Sequence, residues 1–209
     1  MSKALTGVRA DNKYSYSNLE SWASYVRQQL DFAPDAALDP LRLFEDLHEI
    51  SISRADGTVI PLRGGVIGLE DSEGYACYNR SRKLIEILAS EKVYGWLEDK
   101  HPRAAYFLAH ELGHCLLHTD QLIRLAQMPT NQQAAFHRGR TDHKPFEDTE
   151  WQANAFASAL LMPARGLVSV EQEFGYLDAS LLVDRFGVSS VAAGYRLDCF
   201  ASRRDELLR

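Results

Sequence analysis

The sequence predicts an α+β fold in which helices come first, a small antiparallel sheet follows, and further helices complete the chain. Apolar residues recur at helical spacing before residue 50 and again after residue 102. Between them, residues 51–88 hold short runs rich in Val, Ile and Tyr, separated by clusters of Gly, Asp and Ser. Helices and strands that are grouped rather than alternating indicate the α+β class. At 209 residues and 45% hydrophobic composition, the chain is long enough for one well-cored domain.

Two helices are predicted ahead of the sheet, within residues 1–50. Apolar residues have helical spacing over 18–30, and Asn18 is a suitable N-cap for that helix. The second helix begins with Asp39 as its N-cap and Pro40 at the first helical position, where a proline interrupts no helical hydrogen bond. We interpret these helices as a layer packed on the core.

The sheet is predicted to be antiparallel and built from hairpins, because turn-forming residues closely separate its strands. The expected strands are 51–53, 58–62, 65–69, 74–78 and 83–88. A short helix over 91–98 is expected to follow the last strand.

Two strong helices are predicted after the sheet, a central one over 102–118 and another from Phe146 to Met162, where Pro163 ends it. The segment between them, 119–145, is polar and aperiodic. We therefore expect a long loop there.

The C-terminal part is predicted to form a pair of helices similar to a helix-turn-helix. The helices lie near 178–186 and 189–200, the sequence FGVSS separates them, and Ser189 or Ser190 caps the second. The predicted organisation is N-terminal helices over 1–50, a core over 51–165, and a C-terminal extension of the same domain over 166–209.

The segment AHELGHCLLH, residues 109–118, places two histidines four residues apart in the apolar central helix. Residues at this spacing share a helix face, so His110 and His114 can direct both imidazoles at one point. Glu111 is rotated by about 100 degrees from His110, within reach of a water beside a metal ion. His-Glu-x-x-His is the signature of zinc metallopeptidases. Solvated histidines are a poor alternative among the neighbouring leucines, where unbound polar groups cost free energy.

A catalytic zinc site needs a third protein ligand, and several candidates are present. A longer form of the signature has a third histidine where this chain has Asp120, which makes that position a weak candidate. His118 is one turn too far along the helix to share the metal, so we interpret it as a helix C-terminal or outer-shell group. Glu150 is favoured over Glu147, because Asn154 lies one turn later on its face and is placed to fix the tautomer of a liganding histidine.

Taken together, the segments AHELGHCLLH and EWQANAFASALLMP resemble the ImmA/IrrE family of zinc metallopeptidases. The shared pattern is His-Glu-x-x-His on one helix, followed by Glu-x-x-Ala-Asn-x-Phe-Ala and ending in Leu-Leu-Met-Pro. The resemblance covers about residues 50–200 and is strongest over 104–163. The predicted connection before the central helix and the segment 119–145 are longer than this resemblance leads us to expect.

The resemblance implies a zincin-like metallopeptidase domain in which His110, His114 and Glu150 bind one zinc ion and Glu111 is the general base. The same ligands would accept other divalent ions. It also implies a protein substrate, since members of the family typically cleave a helix-turn-helix repressor encoded by a neighbouring gene. The repressor gene is often part of a mobile element, and cleavage of the repressor allows expression of stress or transfer genes.

Two further features of a peptidase site are expected near the metal. A sheet edge near 74–79 is suited to hold an extended substrate segment by strand addition. An oxyanion stabiliser is also expected. The sequence does not rank its polar candidates, which are His137, His143, Tyr195 and Arg196.

Composition and charge narrow the classes of partner. The formal charge of −6 argues against a dominant nucleic-acid surface. Cys77, Cys115 and Cys199 are an odd number with irregular spacing, which favours a reducing compartment over a disulfide framework. No apolar signal region and no membrane-spanning run is visible, so we expect a cytoplasmic protein with no membrane partner.

The C-terminal helix pair leaves open a second function, a DNA-binding regulator with a non-catalytic metal site. Residues 165–209 hold six Arg and no Lys against seven Asp plus Glu, whereas a recognition surface normally needs excess positive charge. We therefore favour the interpretation that the C-terminal helix pair packs on the peptidase domain and closes it. A third function is a regulator that binds a partner protein without cutting it.

Overall fold

A computed structural model describes residues 7–129 and 143–209, which form a mixed α+β fold and confirm the predicted class. The strands are β1 (Ser51–Ser53), β2 (Val59–Ile67), β3 (Gly74–Asn79) and β4 (Leu84–Ser90). The helices are α1 (Tyr16–Gln29), α2 (Pro40–Glu45), α3 (Glu91–Glu98), α4 (Pro102–Leu117), α5 (Thr119–Gln127), α6 (Thr149–Leu161), α7 (Ala164–Phe174), α8 (Ala179–Phe186) and α9 (Ser190–Leu207). Short 3-10 turns cover Asp46–Glu49 and Pro145–Glu147.

The four strands form one sheet in the order β1-β2-β4-β3, with β1 and β3 at its edges. β1 pairs with β2 and β3 pairs with β4 in antiparallel fashion. β2 and β4 are parallel, with Leu62 opposite Ile85 and Ile67 opposite Ser90. The prediction of a purely antiparallel sheet is therefore wrong, because the chain turns back from β3 and inserts β4 next to β2 in the same direction.

A second correction concerns the two strands predicted over 58–62 and 65–69, which form the single strand β2. Its glycines mark close packing and do not end the strand. A Cβ atom on Gly64 would lie 2.8 Å from the ring of Phe44, and one on Gly65 would lie 2.9 Å from Leu88 Cδ2. Both positions lack room for a side chain, which explains why glycine occurs inside a strand.

The N-terminal helix α1 begins at Tyr16, two residues earlier than its predicted N-cap. Ser15 caps it by accepting a hydrogen bond from the backbone N–H of Asn18, and the Asn18 side chain accepts one from the Ser15 backbone N–H. Asn18 thus belongs to the capping box and is not the N-cap itself. The predicted cap of α2 is confirmed, since the Asp39 side chain accepts from the backbone N–H groups of Leu41 and Arg42.

Helix α5 occupies the first part of the segment predicted as a loop. α4 ends at Leu117, His118 breaks the helical geometry, and α5 continues from Thr119. The buried Thr119 hydroxyl donates to the Cys115 carbonyl and joins the two helices. Leu122 and Ile123 pack against the core, which offsets the polar composition that hides this helix in the sequence.

Helix α7 was not predicted, and α9 extends beyond its predicted end at residue 200 to Leu207. α7 buries Leu167 and Val170 and ends at Gly175, whose φ of 79° is left-handed. The helix pair α8 and α9 is confirmed, with Ser189 as the N-cap of α9.

Helices α4 and α6 pack closely side by side at the centre of the domain. Gly113 faces α6, and a Cβ atom there would lie 3.1 Å from both Ala153 Cα and Phe156 Cδ1. The missing side chain brings the two helix backbones near each other. α1 packs on α6, and the sheet packs against α4.

No single helix in the described parts of the chain combines the length and apolar character needed to cross a membrane. Helices α6 and α7, bent by 41° at the break between them, pass that test of length and composition only as a pair.

Candidate metal centre

Three side chains from α4 and α6 converge on one point. His110 Nε2 lies 3.0 Å from His114 Nε2, and the two Glu150 oxygens lie 3.2 and 3.3 Å from the histidine Nε2 atoms. One ligand atom from each residue lies within 4.8 Å of the others. The three side chains predicted as ligands are thus brought together, and each is partly buried.

Local structure places Glu150 in this cluster. It occupies the first turn of α6, where the Asp148 side chain caps the helix by accepting from the Trp151 backbone N–H. His143 Nε2 lies 2.9 Å from Asp148 Oδ2, and the Gly7 backbone N–H also donates to that oxygen. Asp148 therefore fixes the start of the helix that carries the third ligand candidate.

Contacts within the cluster shift the pKa values of Glu150 and His110. Contact with the imidazole of His110, and then with that of His114, holds the pKa of Glu150 well below its usual range. Burial disfavours a charge on His110, but its hydrogen bond to Glu150 and the negative charges of Glu111 and Glu150 outweigh burial and raise its pKa. Glu150 is thus an ionised ligand candidate at neutral pH.

Both imidazoles turn their Nδ1 atoms away from the cluster. His110 Nδ1 lies 3.0 Å from Asn154 Oδ1, which also accepts a 2.8 Å hydrogen bond from the Tyr106 hydroxyl. His114 Nδ1 lies 3.1 Å from His118 Nδ1. These contacts aim the Nε2 atoms at Glu150, as expected of outer partners of a metal site.

Glu111 lies beside the cluster at the edge of the sheet. Its Oε2 accepts a 2.7 Å hydrogen bond from the backbone N–H of Ala76 in β3. Burial raises the pKa of Glu111, and the positive charges of His114 and His110 oppose that effect only in part. The side chain is therefore held at the cluster without belonging to the three ligand candidates.

The donor set fits a divalent cation of the zinc type. Two imidazole nitrogens and one carboxylate are a ligand set of catalytic zinc sites that keep a fourth position open. Each Nδ1 is engaged elsewhere, so each imidazole offers one Nε2 atom to a shared ion. His110, His114 and Glu150 can therefore hold a metal ion, and the same donors suit other divalent ions.

The remaining candidates lie in different surroundings. His143 has a fully buried side chain that contacts Asp148. Arg196 is buried between Glu20, with which it forms an ion pair, and the Met162 carbonyl, which it contacts at 2.8 Å. Tyr195 is exposed and lines a cavity of about 860 Å³ together with Tyr106 and Asn154. His137 lies outside the described residues.

Sequence reasoning did not identify Gln152 or Tyr106 as part of this centre. Gln152 is fully buried, and its Oε1 lies 2.9 Å from His118 Nε2. A glutamine on the buried side of an apolar helix was the available signal, because buried amides need partners. His118, predicted as a helix C-terminal or outer-shell group, is the C-cap residue of α4, and its Nδ1 lies 3.1 Å from His114 Nδ1.

A pH dependence of stability follows from the burial of His118. Burial, and then the nearby His114, lower its pKa from 6.5 to about 3. Because the folded pKa lies below the unfolded value, its stabilising contribution is present above pH 6.5 and is lost as pH falls below that value. We expect the free energy of unfolding of the metal-free protein to decrease as the pH falls from 6.5 to about 3. This decrease should be steeper than that of His118→Asn by up to about 1.4 kcal/mol per pH unit. Urea unfolding at several pH values measures this difference, and parallel pH curves for the two proteins would contradict it.

The fold and the His-His-Glu cluster define the class as a zincin-like domain whose cluster could hold a metal ion. Residues 98–198 match the model of Peptidase_M78, the IrrE N-terminal-like domain. The resemblance drawn from the sequence is confirmed.

The comparison with solved structures found a Mycobacterium tuberculosis transcriptional regulator, with 20% sequence identity and a TM-score of 0.46. The match covers 86% of this chain and 46% of that one, so this chain spans less than half the length of the regulator. No curated protein matches the sequence significantly.

Proposed function

We propose that this protein is a zinc-dependent endopeptidase that cleaves a regulatory protein, with a helix-turn-helix repressor from a neighbouring gene as the first candidate. The observation that carries the proposal is the convergence of His110, His114 and Glu150, with Glu111 held beside them. The same ligand set without a positioned acid-base group would support metal binding alone. The cysteine pattern favours a cytoplasmic site of action.

The proposed chemistry is hydrolysis of a peptide bond. A zinc ion bound at such a site supplies Lewis-acid activation of water and polarisation of a carbonyl. Glu111 accepts a proton from the attacking water as the new C–O bond forms. It then delivers that proton to the leaving amine nitrogen as the C–N bond breaks. The raised pKa of Glu111 suits a group that must both take up and release a proton.

The edge strand β3 is the proposed substrate-binding strand. Among the described residues, no strand pairs with the outer edge of β3. The Ala76 N–H points to this edge, since it donates to Glu111, and Gly74 and Tyr78 lie two residues away on either side with the same orientation. An extended peptide added here by backbone hydrogen bonds would run past the general base.

Tyr195 is the best placed of the three candidates within the described residues for contact with substrate. It lines a cavity together with Tyr106 and Asn154; the Asn154 Oδ1 lies 3.0 Å from His110 Nδ1 and accepts from the Tyr106 hydroxyl. Arg196 and His143 are buried and contact the carboxylates of Glu20 and Asp148. We propose that Tyr195 contacts the substrate chain next to the cleaved bond.

The test is incubation of the zinc-loaded protein with the purified repressor encoded next to its gene. Mass spectrometry is expected to show two new fragments whose masses sum to the repressor plus one water. Chelation of zinc should stop their formation, and restored zinc should return it. A repressor that is retained on the immobilised protein but stays intact would replace the peptidase function by the protein-binding one.

A further inference from the structure

The amide of Gln152 has a fixed orientation. Its Nε2 lies 2.8 Å from the carbonyl oxygen of Asn12 and 2.8 Å from that of Phe146. Backbone carbonyls only accept hydrogen bonds, so the donating NH2 group must face them. The amide oxygen of Gln152 therefore faces His118, at 2.9 Å from its Nε2.

The orientation of Gln152 determines the tautomer of His118. An amide oxygen only accepts, so the ring hydrogen of His118 must be on Nε2. His118 is 4% exposed, and a second ring proton would place a charge in the interior of the fold. Its Nδ1 therefore presents a lone pair to His114 Nδ1 at 3.1 Å.

We propose that Gln152 and His118 form a two-step hydrogen-bond relay that holds the hydrogen of His114 on Nδ1 and leaves Nε2 of His114 free to bind a metal ion. The relay rests on the proposed function only in taking the His-His-Glu cluster as the metal site. Gln152 and His118 are positioning residues, since neither belongs to the cluster of ligand candidates. They affect metal binding indirectly, because they determine the tautomer of His114.

The backbone that orients the relay comes from two other parts of the fold. Asn12 precedes α1, and Phe146 lies in the 3-10 turn before α6. The other histidine, His110, contacts Asn154 instead of His118. The Oδ1 atom of Asn154 lies 3.0 Å from His110 Nδ1 and also accepts a hydrogen bond from the Tyr106 hydroxyl. Packing of the N-terminal segment on α6 is thereby linked to the readiness of His114 to bind metal.

The experiment measures the ring hydrogens and the zinc affinity of the protein without any substrate. Long-range 15N–1H spectra of the metal-free protein at pH 8 are expected to show His114 with hydrogen on Nδ1 and none on Nε2. His118→Leu, which has no acceptor, should lose this signature and raise the Kd for zinc by about 10–100-fold. His118→Asn, which can place an oxygen acceptor near the position of Nδ1, should recover most of the affinity.

Two further variants separate the relay from simple packing. Thr119→Val changes the buried neighbour of His118 without touching His114, so its zinc Kd should equal that of the wild type. Gln152→Leu should mix the tautomers of His118 and His114 even if His118→Leu fails to fold. An unchanged His114 tautomer in the variants that fold, or equal zinc affinity of His118→Leu and Thr119→Val, would overturn the relay.

Different experimental results would contradict the relay and the peptidase function. Absence of repressor cleavage with the expected tautomer and zinc affinities would remove the peptidase function alone. Normal cleavage with an unaltered tautomer in every variant would remove the relay alone.

Discussion

Glu111→Gln is expected to lower the rate of repressor cleavage by about 10²–10⁴-fold, the usual contribution of a general acid-base group. Glutamine keeps the size of the side chain, and its amide oxygen can still accept the hydrogen bond from the Ala76 N–H. It cannot take a proton from water at neutral pH. The measurement is the single-turnover rate of fragment formation with zinc-loaded protein.

This variant is informative because zinc binding should survive it. Glu111 lies outside the three ligand candidates, so zinc content measured by atomic absorption should equal that of the wild type. Glu98→Gln, on the neighbouring helix α3, is a matched control that should leave both zinc content and rate unchanged. A Glu111→Gln protein that binds zinc and cleaves at the wild-type rate would exclude Glu111 as the general base.

Much of the centre could be predicted from the sequence, because its residues obey local spacing rules. The four-residue interval sets His110 and His114 on one face, and Glu150 with Asn154 repeats that interval on a second helix. The close packing of the two helices was less visible. It depends on Gly113 next to Ala153, a contact between residues forty positions apart.

The errors in the fold have a common physical cause. The direction of β4 beside β2 is set by how the chain turns back after β3, and no residue pattern within a strand records it. Helix α5 was hidden because its sequence is polar, although Leu122 and Ile123 pack on the core. Tertiary contacts outweigh local preferences at both places.

The same limit applies to the outer part of the metal centre. His118 was recognised as an outer-shell candidate from its position one turn beyond His114. Gln152 could not be linked to it, since the link requires the carbonyls of Asn12 and Phe146 to meet the amide. The spacing of residues in the sequence does not predict hydrogen bonds to backbone groups that are distant in the chain.

The second large effect is expected for Glu150→Gln, which should lose zinc. Both oxygens of Glu150 face the histidine Nε2 atoms, at 3.2 and 3.3 Å. In the variant, one oxygen is replaced by an NH2 group that would donate to an Nε2 lone pair and occupy it. The site also loses its negative charge. We expect the Kd for zinc, measured by competition with a chromophoric chelator, to rise by more than the roughly 10–100-fold that changes outside the ligand set cost.

Glu147→Gln is the matched control, because Glu147 precedes Glu150 by three residues and makes a different set of contacts. Its carboxylate pairs with Lys13 and accepts from the Lys144 backbone N–H. Its loss should leave the zinc Kd unchanged, even if the loss of these contacts lowers the stability of the fold. Equal zinc affinity of the Glu150→Gln and wild-type proteins would show that the two histidines bind the ion with some other third ligand. A loss of zinc in Glu147→Gln alone would move the third ligand to the preceding 3-10 turn.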